Sequence, residues 1–244
     1  MGSVVSTSKS SYESPNSIKA GIWAILPMLL GTAPFGVVFG VFALDIGFGF
    51  IGAQSLSSFV FAGSSQFVGV NLYGQGASLE IIFWTIFLVN FRHFLYGASL
   101  GPKLLGTSSR HRVLISFFLT DEAFAVVSKF KKVHFRYYWG AALAMYFNWQ
   151  IWTGIGIFFA PYLKSIMAIN FGFIIVPAFL AIIFQQAINK AARFCGLLSG
   201  FLALFLNSLP HQMGVIIAAL ISIFLTLLCE SIFSPKDFNK RRYN

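Results

Sequence analysis

Residues 80–100, EIIFWTIFLVNFRHFLYGASL, form an apolar run with Asn90, Arg92 and His93 in its second half. The run has the ~20 residues that an α-helix needs to cross a bilayer. An ionised side chain at that depth costs roughly 2.5–3.5 kcal/mol on insertion scales, so it must face protein, water or an opposite charge. The stretch therefore predicts a membrane-spanning helix whose Arg92 is paired or functional.

The composition places most of the chain in a membrane. Of its 244 residues, 57% are hydrophobic and 10% are charged, whereas soluble domains carry about 25% charged residues. The formal net charge of +10 comes from Lys and Arg in short loops and at the chain ends, as the positive-inside rule expects. We therefore expect a lipid bilayer, and no nucleic acid, as the surroundings of this chain.

Apolar segments recur along the chain, at about residues 18–44, 48–72, 80–100, 113–127, 137–159, 171–188, 194–206 and 213–232. They predict an all-α fold, a polytopic membrane helical bundle with seven or eight spans and with helices broken by Pro and Gly. Residues 1–17 are polar and predict a disordered tail. Residues 18–233 then form a transmembrane transport domain, and residues 234–244 form a basic cytoplasmic tail.

The number of spans depends on residues 113–127, which are short for a full crossing. If they cross, eight spans leave the N-terminus inside, with 12 basic residues inside and four outside. If they form a re-entrant hairpin, seven spans leave the N-terminus outside, with 13 basic residues inside and three outside. The positive-inside rule does not choose between these two tallies.

Helix breaks are expected at Pro34 and Gly36 in the first segment and at Gly63 in the second. Proline removes a helical hydrogen bond, and spans interrupted by Pro or Gly are typical of discontinuous helices that line a binding site. Gly36 and Gly40 also have the GxxxG spacing, which lets a second helix approach closely.

The candidate site combines Arg92 with Asp121 and Glu122, the acidic pair embedded in the apolar sequence FFLTDEAFAVV. Two interpretations stay open: Arg92 binds a substrate, or it pairs with one of these carboxylates and holds two helices in register. The other candidate polar residues on the substrate path are Ser64, Ser65, Gln66, Asn90 and His93. For His93, a proton relay and a hydrogen-bonded packing role are both open.

Four motifs resemble the AzlC family in order and rough spacing. They are PMLLGTAPFGVVFG, SSFVFAGSSQF, LVNFRHFLYGASLGP and FFLTDEAFAVV, and the resemblance covers about residues 18–230. It implies the large subunit of a two-component exporter of branched-chain amino acids, located in the bacterial inner membrane. It also implies a small AzlD-like membrane partner of about three or four spans. The implied substrates are leucine, isoleucine and valine, and in some members methionine.

The chemistry of the candidate residues suits a zwitterionic amino acid. Arg92 offers a bidentate fork to a carboxylate, while Asp121 or Glu122 can accept an ammonium group or carry a coupling proton. Helix ends at the breaks near Pro34 and Gly63 would supply backbone donors. We therefore predict a secondary transporter subunit, driven by the proton gradient, that exports branched-chain amino acids.

Three other functions remain as alternatives. They are a cation/proton antiporter or channel, a non-transporting membrane scaffold subunit, and a membrane enzyme that uses His93 with the acidic pair. The sequence has no HxxxH or HExxH motif, and we predict no enzymatic activity, no metal and no cofactor.

Overall fold

The computed structural model describes residues 13–105, 107–166, 190–206 and 213–233. The chain divides into two compact units, Met1–Phe171 and Gly172–Asn244. The predicted segment 171–188 and the predicted tail 234–244 lie outside the described residues. The α-helices of the described residues are α1 Ile18–Asp45, α2 Gly49–Phe59, α3 Gly63–Gly74, α4 Leu79–Asn90, α5 Arg92–Leu100, α6 Ser109–Phe117, α7 Asp121–Ser128, α8 Phe135–Ile166, α9 Lys190–Phe205 and α10 Met213–Phe233.

Helices α1 and α8 form the core of the first unit and run parallel. Near their N-terminal ends Gly21 faces the backbone carbonyl of Tyr137, and further along Gly40 faces the backbone carbonyl of Thr153. A Cβ atom at either glycine would collide with that backbone. Two glycines of α8 make reciprocal contacts with the backbone of α1, and these are Gly140 and Gly156. The two helices therefore meet backbone to backbone, an approach that only small residues allow.

The expected helix break at Pro34 and Gly36 is wrong, because α1 continues from Ile18 to Asp45 with Pro34 inside it. The turn before Pro34 receives side-chain donors instead. The Asn148 amide donates to the Leu29 carbonyl at 3.2 Å, and the Thr32 hydroxyl donates to backbone carbonyls one turn back. Side chains can thus support a proline-containing helix within a bundle. Gly36 serves close packing, since a Cβ atom there would press on the Trp152 side chain.

Helices α2 and α3 form a hairpin that folds back on itself. Residues 60–62 interrupt the second predicted segment immediately before Gly63, where a break was expected. At the open end of the hairpin, the rings of Phe48 and Tyr73 lie 4.9 Å apart, and Gly74 packs on Ile46. The two ends of the segment predicted as one span over residues 48–72 therefore lie together, which a single straight helix would not allow. We call α2–α3 the first hairpin.

Helices α6 and α7 form a second hairpin, interrupted at residues 118–120. Both of its ends lie beside the start of α8. The rings of His111 and Phe135 are 5.2 Å apart, and the ring of Phe130, two residues after α7, lies 5.4 Å from that of Tyr137. Of the two forms left open for residues 113–127, the structure has the hairpin. We call α6–α7 the second hairpin.

A small β-arrangement gathers three distant parts of the chain beside this end of the second hairpin. Strand β1, Leu104–Leu105, pairs in parallel with strand β2, Val133–His134. Glu13 forms a parallel bridge with Lys132, and the Ser14 amide donates to the Lys132 carbonyl at 2.9 Å. Residues 13–14, within the stretch predicted as a polar tail, are therefore part of this arrangement. The start of α1, the chain after α5 and the start of α8 lie side by side.

Helices α4 and α5 form the predicted segment 80–100, with an interruption at Phe91. Together with the 3₁₀ turn Gly101–Lys103 they make a 25-residue stretch that is long and apolar enough to span a membrane. Among the described residues, α1 is the other helix that meets this criterion. The number of spans in the whole chain stays a prediction.

The second unit packs α9 against α10. Gly214 at the start of α10 lies against the Leu206 carbonyl, and the Ser222 hydroxyl donates to the Ala218 carbonyl at 2.7 Å. A Cβ atom added at Gly196 or Gly200, which have the GxxxG spacing, would meet no described atom within 4 Å. The GxxxG pair in α1, Gly36 and Gly40, therefore mediates close helix packing.

We predict opposite effects for the same substitution at two glycines of α1. Gly40→Ala adds a Cβ against the Thr153 carbonyl, and overpacking of this kind costs about 1–3 kcal/mol. Gly31→Ala adds a Cβ where no described atom lies within 4 Å, and Ala is favoured over Gly in helices by about 0.5–1 kcal/mol. Thermal unfolding of the purified protein in detergent should give a lower Tm for Gly40→Ala and an equal or higher Tm for Gly31→Ala. Equal Tm values for Gly40→Ala and the wild type would contradict the close contact.

Candidate substrate-binding site

The tips of the two hairpins meet. Phe61, in the tip of the first hairpin, has its ring centroid 6.3 Å from that of Phe118, in the tip of the second. Both rings also contact Tyr146 of α8, at 4.8 and 5.2 Å. Phe61 has a positive φ of 40°, a backbone conformation that is strained for a bulky side chain. The interruptions of the two hairpins therefore lie against each other, beside the middle of α8.

Arg92 joins these two interruptions to the one between α4 and α5. Its guanidinium donates to the Ser64 hydroxyl at 2.7 Å and forms an ion pair with the Asp121 carboxylate at 2.9 Å. Ser64 lies in the first turn of α3, and Asp121 is the first residue of α7. Arg92 itself is the first residue of α5. One side chain thus connects the N-terminal ends of three helices.

A second hydrogen bond supports the same junction. The Ser65 hydroxyl donates to the Asn90 side-chain oxygen at 2.7 Å, and Ser65 is fully buried. His93 lies with Nδ1 3.2 Å from the Asn90 carbonyl, beside the helix interruption. This hydrogen bond supports the packing role for His93. Four predicted site residues, Ser64, Ser65, Asn90 and Arg92, are therefore brought together here.

The two acidic residues have different partners. Asp121 pairs with Arg92, whereas the Glu122 carboxyl interacts with the Thr120 hydroxyl and its own backbone N–H. Thr120 also caps α7 by accepting a hydrogen bond from the Ala123 amide at 3.2 Å. Carboxylates in the first turn of a helix are stabilised by the helix dipole. Of the two pairings left open by the sequence, the structure has Arg92 with Asp121.

Tyr96 belongs to the site although it is not among the predicted site residues. Its side chain interacts with the Asp121 carboxylate, and its ring stacks on Phe124 with centroids 4.4 Å apart. Tyr96 follows Arg92 by four residues on α5, so both side chains share one helical face. That spacing was the signal available in the sequence.

Gln66 belongs to a different network. Its side-chain oxygen accepts from the Trp149 indole at 3.1 Å, and its amide donates to the Ser57 hydroxyl at 3.0 Å. Ser57 in turn lies 3.0 Å from the Thr153 hydroxyl. Gln66, Ser57 and Thr153 are buried, and together they tie the first hairpin to α8. These contacts favour a packing role for Gln66 over the predicted contact with substrate.

Ser99 lies in the sequence GASLG, residues 97–101, which has the Gly-x-Ser-x-Gly spacing of serine hydrolases. In those enzymes the serine occupies a sharp turn between a strand and a helix. Ser99 lies inside helix α5, which runs from Arg92 to Leu100. The position of this serine therefore gives no support to a hydrolase.

The ion pair is partly accessible. The side chains of Arg92 and Asp121 retain 25% and 27% of their exposure. In the described part of the chain, the buried Nε of Arg92 has no hydrogen-bond partner. The same part holds no group of three or more His, Cys, Asp or Glu residues placed to bind a metal ion. The arrangement offers a charged pair of opposite sign to a small molecule, with one guanidinium N–H still to be satisfied.

A family comparison accounts for this arrangement of motifs. The chain matches the AzlC protein family over residues 27–163, which is more than half of its length and includes both hairpins and the ion pair. The chain belongs to the AzlC family. The resemblance expected from the four motifs is thereby confirmed.

Individual relatives agree with this assignment. An uncharacterized membrane protein of Archaeoglobus fulgidus is 35% identical over 57% of this chain and 61% of its own length. The inner membrane protein YgaZ of Escherichia coli is 28% identical over 85% of this chain and 88% of its own. The branched-chain amino acid transport protein AzlC of Bacillus subtilis is 28% identical over 70% and 68%. No solved structure matches this chain.

A double-mutant cycle tests the coupling between Arg92 and Asp121. Each of Arg92→Leu and Asp121→Leu breaks this partly buried ion pair while keeping one of its charges, and both should lower the Tm of the purified protein. The double variant removes both charges, so its loss should be smaller than the sum of the single losses.

Glu13→Gln provides a control for this cycle. It removes an exposed ion pair with Lys132, and such pairs contribute about 0–1 kcal/mol. Strictly additive losses for Arg92→Leu and Asp121→Leu would show that the ion pair does not stabilise the fold.

Proposed function

We propose that this chain is the large subunit of a secondary transporter that exports branched-chain amino acids across the bacterial inner membrane. The observation that carries the proposal is the partly accessible ion pair of Arg92 and Asp121, held at the junction of three interrupted helices. The Bacillus subtilis relative is named a branched-chain amino acid transport protein, which supports the same substrate class. Leucine, isoleucine and valine are the proposed substrates, with methionine as a further one.

An amino acid zwitterion carries one positive and one negative charge. It can therefore form one ion pair with Asp121 and one with Arg92, in place of the ion pair between these two residues. The guanidinium of Arg92 can bind the substrate carboxylate through two N–H donors. The Asp121 carboxylate can then accept the substrate ammonium. One protein ion pair is replaced by two pairs with the substrate, so binding leaves neither charge without a partner.

Neighbouring side chains assist each half of this exchange. Ser64 lies within hydrogen-bonding distance of the guanidinium, and Tyr96 interacts with the Asp121 carboxylate. Phe118, in the tip of the second hairpin, is half-buried and supplies apolar surface for an aliphatic side chain. Glu122 lies in the same helical turn as Asp121, which makes it our candidate for carrying the coupling proton.

The proposed partner is a small AzlD-like membrane subunit. Helix α4 has no buried residue within the described part of the chain, and its exposed aromatic residues include Phe83 and Trp84. Such a surface in a membrane protein is covered by lipid or by a second membrane protein.

Efflux from loaded cells tests the proposed substrate class. Cells that express the chain with its small partner should release labelled leucine, isoleucine, valine or methionine faster than cells that lack both, and an uncoupler should slow this release. Flux of monovalent cations without amino acid efflux would instead identify a cation/proton antiporter or channel. A rate unchanged for all four amino acids would contradict the proposal.

Arg92→Lys tests the proposed role of the guanidinium. Lys keeps the positive charge but lacks the planar fork, so we expect efflux to fall about tenfold or more while the amount of protein in the membrane stays the same. The matched control is Arg110→Lys, at an exposed position of α6, which should transport like the wild type. Wild-type efflux by Arg92→Lys would rule out bidentate binding by this residue.

A further inference from the structure

We infer that the two hairpins are re-entrant and enter the membrane from opposite sides, so that their tips meet at Arg92 within the bilayer. In this arrangement α1, α4–α5 and α8 are the full crossings of the first unit. The first hairpin starts and ends on one side of the membrane, and the second hairpin starts and ends on the other. This topology holds whichever substrate the site binds.

Helix lengths support the inference. At 1.5 Å per residue, α2 and α3 are about 16 and 18 Å long, and α6 and α7 are about 14 and 12 Å. Each is about half of the ~30 Å hydrocarbon core. If α2 and α3 were collinear, their outer ends would lie more than about 30 Å apart. Ile46 and Gly74 are instead in contact, so the first hairpin returns to its starting side.

The β-arrangement fixes the sides of the full crossings. Glu13 precedes α1, Leu104 follows α5, and both lie beside the strand residues 132–134 that precede α8. The chain from 13 to 104 must therefore cross the membrane an even number of times. Two crossings, by α1 and by α4–α5, satisfy this condition only if the first hairpin does not cross.

The same reasoning applies to the second hairpin. Residues 104 and 133 pair as neighbouring strands, so the chain between them also begins and ends on one side. Helix α8 then crosses in the same direction as α1, which agrees with the parallel packing of these helices at their glycine contacts. In the seven-span arrangement with only residues 113–127 re-entrant, α1 and α8 would be antiparallel.

The distribution of basic residues supports the same topology independently. In residues 13–166 it places eight Lys and Arg residues on the side of the N-terminus, namely Lys19, the three at 103–112 and the four at 129–136. Lys164, near the end of α8, lies on the opposite side, and Arg92 lies between them. With five full crossings the same residues would divide five to four. The positive-inside rule therefore favours two hairpins, with residue 13 in the cytoplasm.

The interior surfaces explain why broken helices are tolerated in this position. Irregular backbone inside a membrane is found only where it is buried in protein or lines a cavity. The tip residue Phe61 is 5% exposed, and Leu119 in the opposite tip is 4% exposed. The Ser64–Arg92–Asp121 contacts then join the two tips through one guanidinium. A substrate path across the membrane at this point would therefore pass one hairpin before the ion pair and the other hairpin after it.

Cysteine accessibility in intact cells tests the topology in the full chain. The background carries Cys195→Ala and Cys229→Ala, which remove both native cysteines. Asp45→Cys and Gln75→Cys flank the first hairpin, and we expect an impermeant maleimide to label both from outside. Ser109→Cys and Lys129→Cys flank the second hairpin, and both should be labelled only after the membrane is permeabilised. Labelling of either pair from two different sides would overturn the proposal.

Cross-linking provides a second readout that does not depend on access from outside. With Phe48→Cys and Tyr73→Cys together in one chain, a short bismaleimide should link the two positions, because their native rings are 4.9 Å apart. The control pair, Phe48→Cys with Lys129→Cys, joins positions on opposite sides and should stay unlinked. Linking of the control pair, or failure of the first pair to link in protein that is present in the membrane, would also overturn the proposal.

Discussion

An arginine within an apolar region needs an opposite charge, and the first unit is arranged around that requirement. Arg92 reaches Asp121 across one helix interruption and Ser64 across another, and it stands at a third interruption itself. Each interruption exposes backbone N–H and C=O groups that lipid cannot satisfy. The free-energy cost of these groups is lowest where the interruptions meet one another and share polar partners. The ion pair and the broken helices therefore depend on each other: the breaks provide the polar surroundings, and the charges hold the breaks together.

Residue chemistry alone predicted the participants at this junction, but not their geometry. Arg92 and the acidic pair stood out because charges are rare in apolar sequence, and the structure joins Arg92 to Asp121. The choice between Asp121 and Glu122 could not be made from sequence, because adjacent residues in a helix point in directions about 100° apart. Tyr96 was not among the predicted site residues. Tyrosine is common in membrane helices, and the sequence does not show that the Asp121 carboxylate lies beside this one.

The helix breaks show where local rules stop being sufficient. Pro34 was expected to interrupt α1, but Asn148 from another helix and Thr32 supply hydrogen bonds to the turn before it. Phe91 marks a real interruption, yet nothing in its apolar neighbourhood signals one. The folding back of the first hairpin was equally hidden, because hydrophobic periodicity identifies a helix without giving its direction relative to the next one. For the second hairpin, the short length of residues 113–127 left a hairpin open as one of two forms.

The backbone contact between α1 and α8 has a consequence for motion. Gly21 and Gly40 each face a carbonyl with no room for a Cβ atom, so sliding by one residue would bring a larger side chain onto the same carbonyl. The two helices are thereby locked in register and behave as a fixed frame. Any rearrangement that opens the first unit to one face of the membrane and closes it to the other must come from the shorter elements. The outer loops of the first hairpin contain Gly47, Gly49 and Gly76 with positive φ, a backbone conformation that glycine adopts readily, and they lie outside this frame.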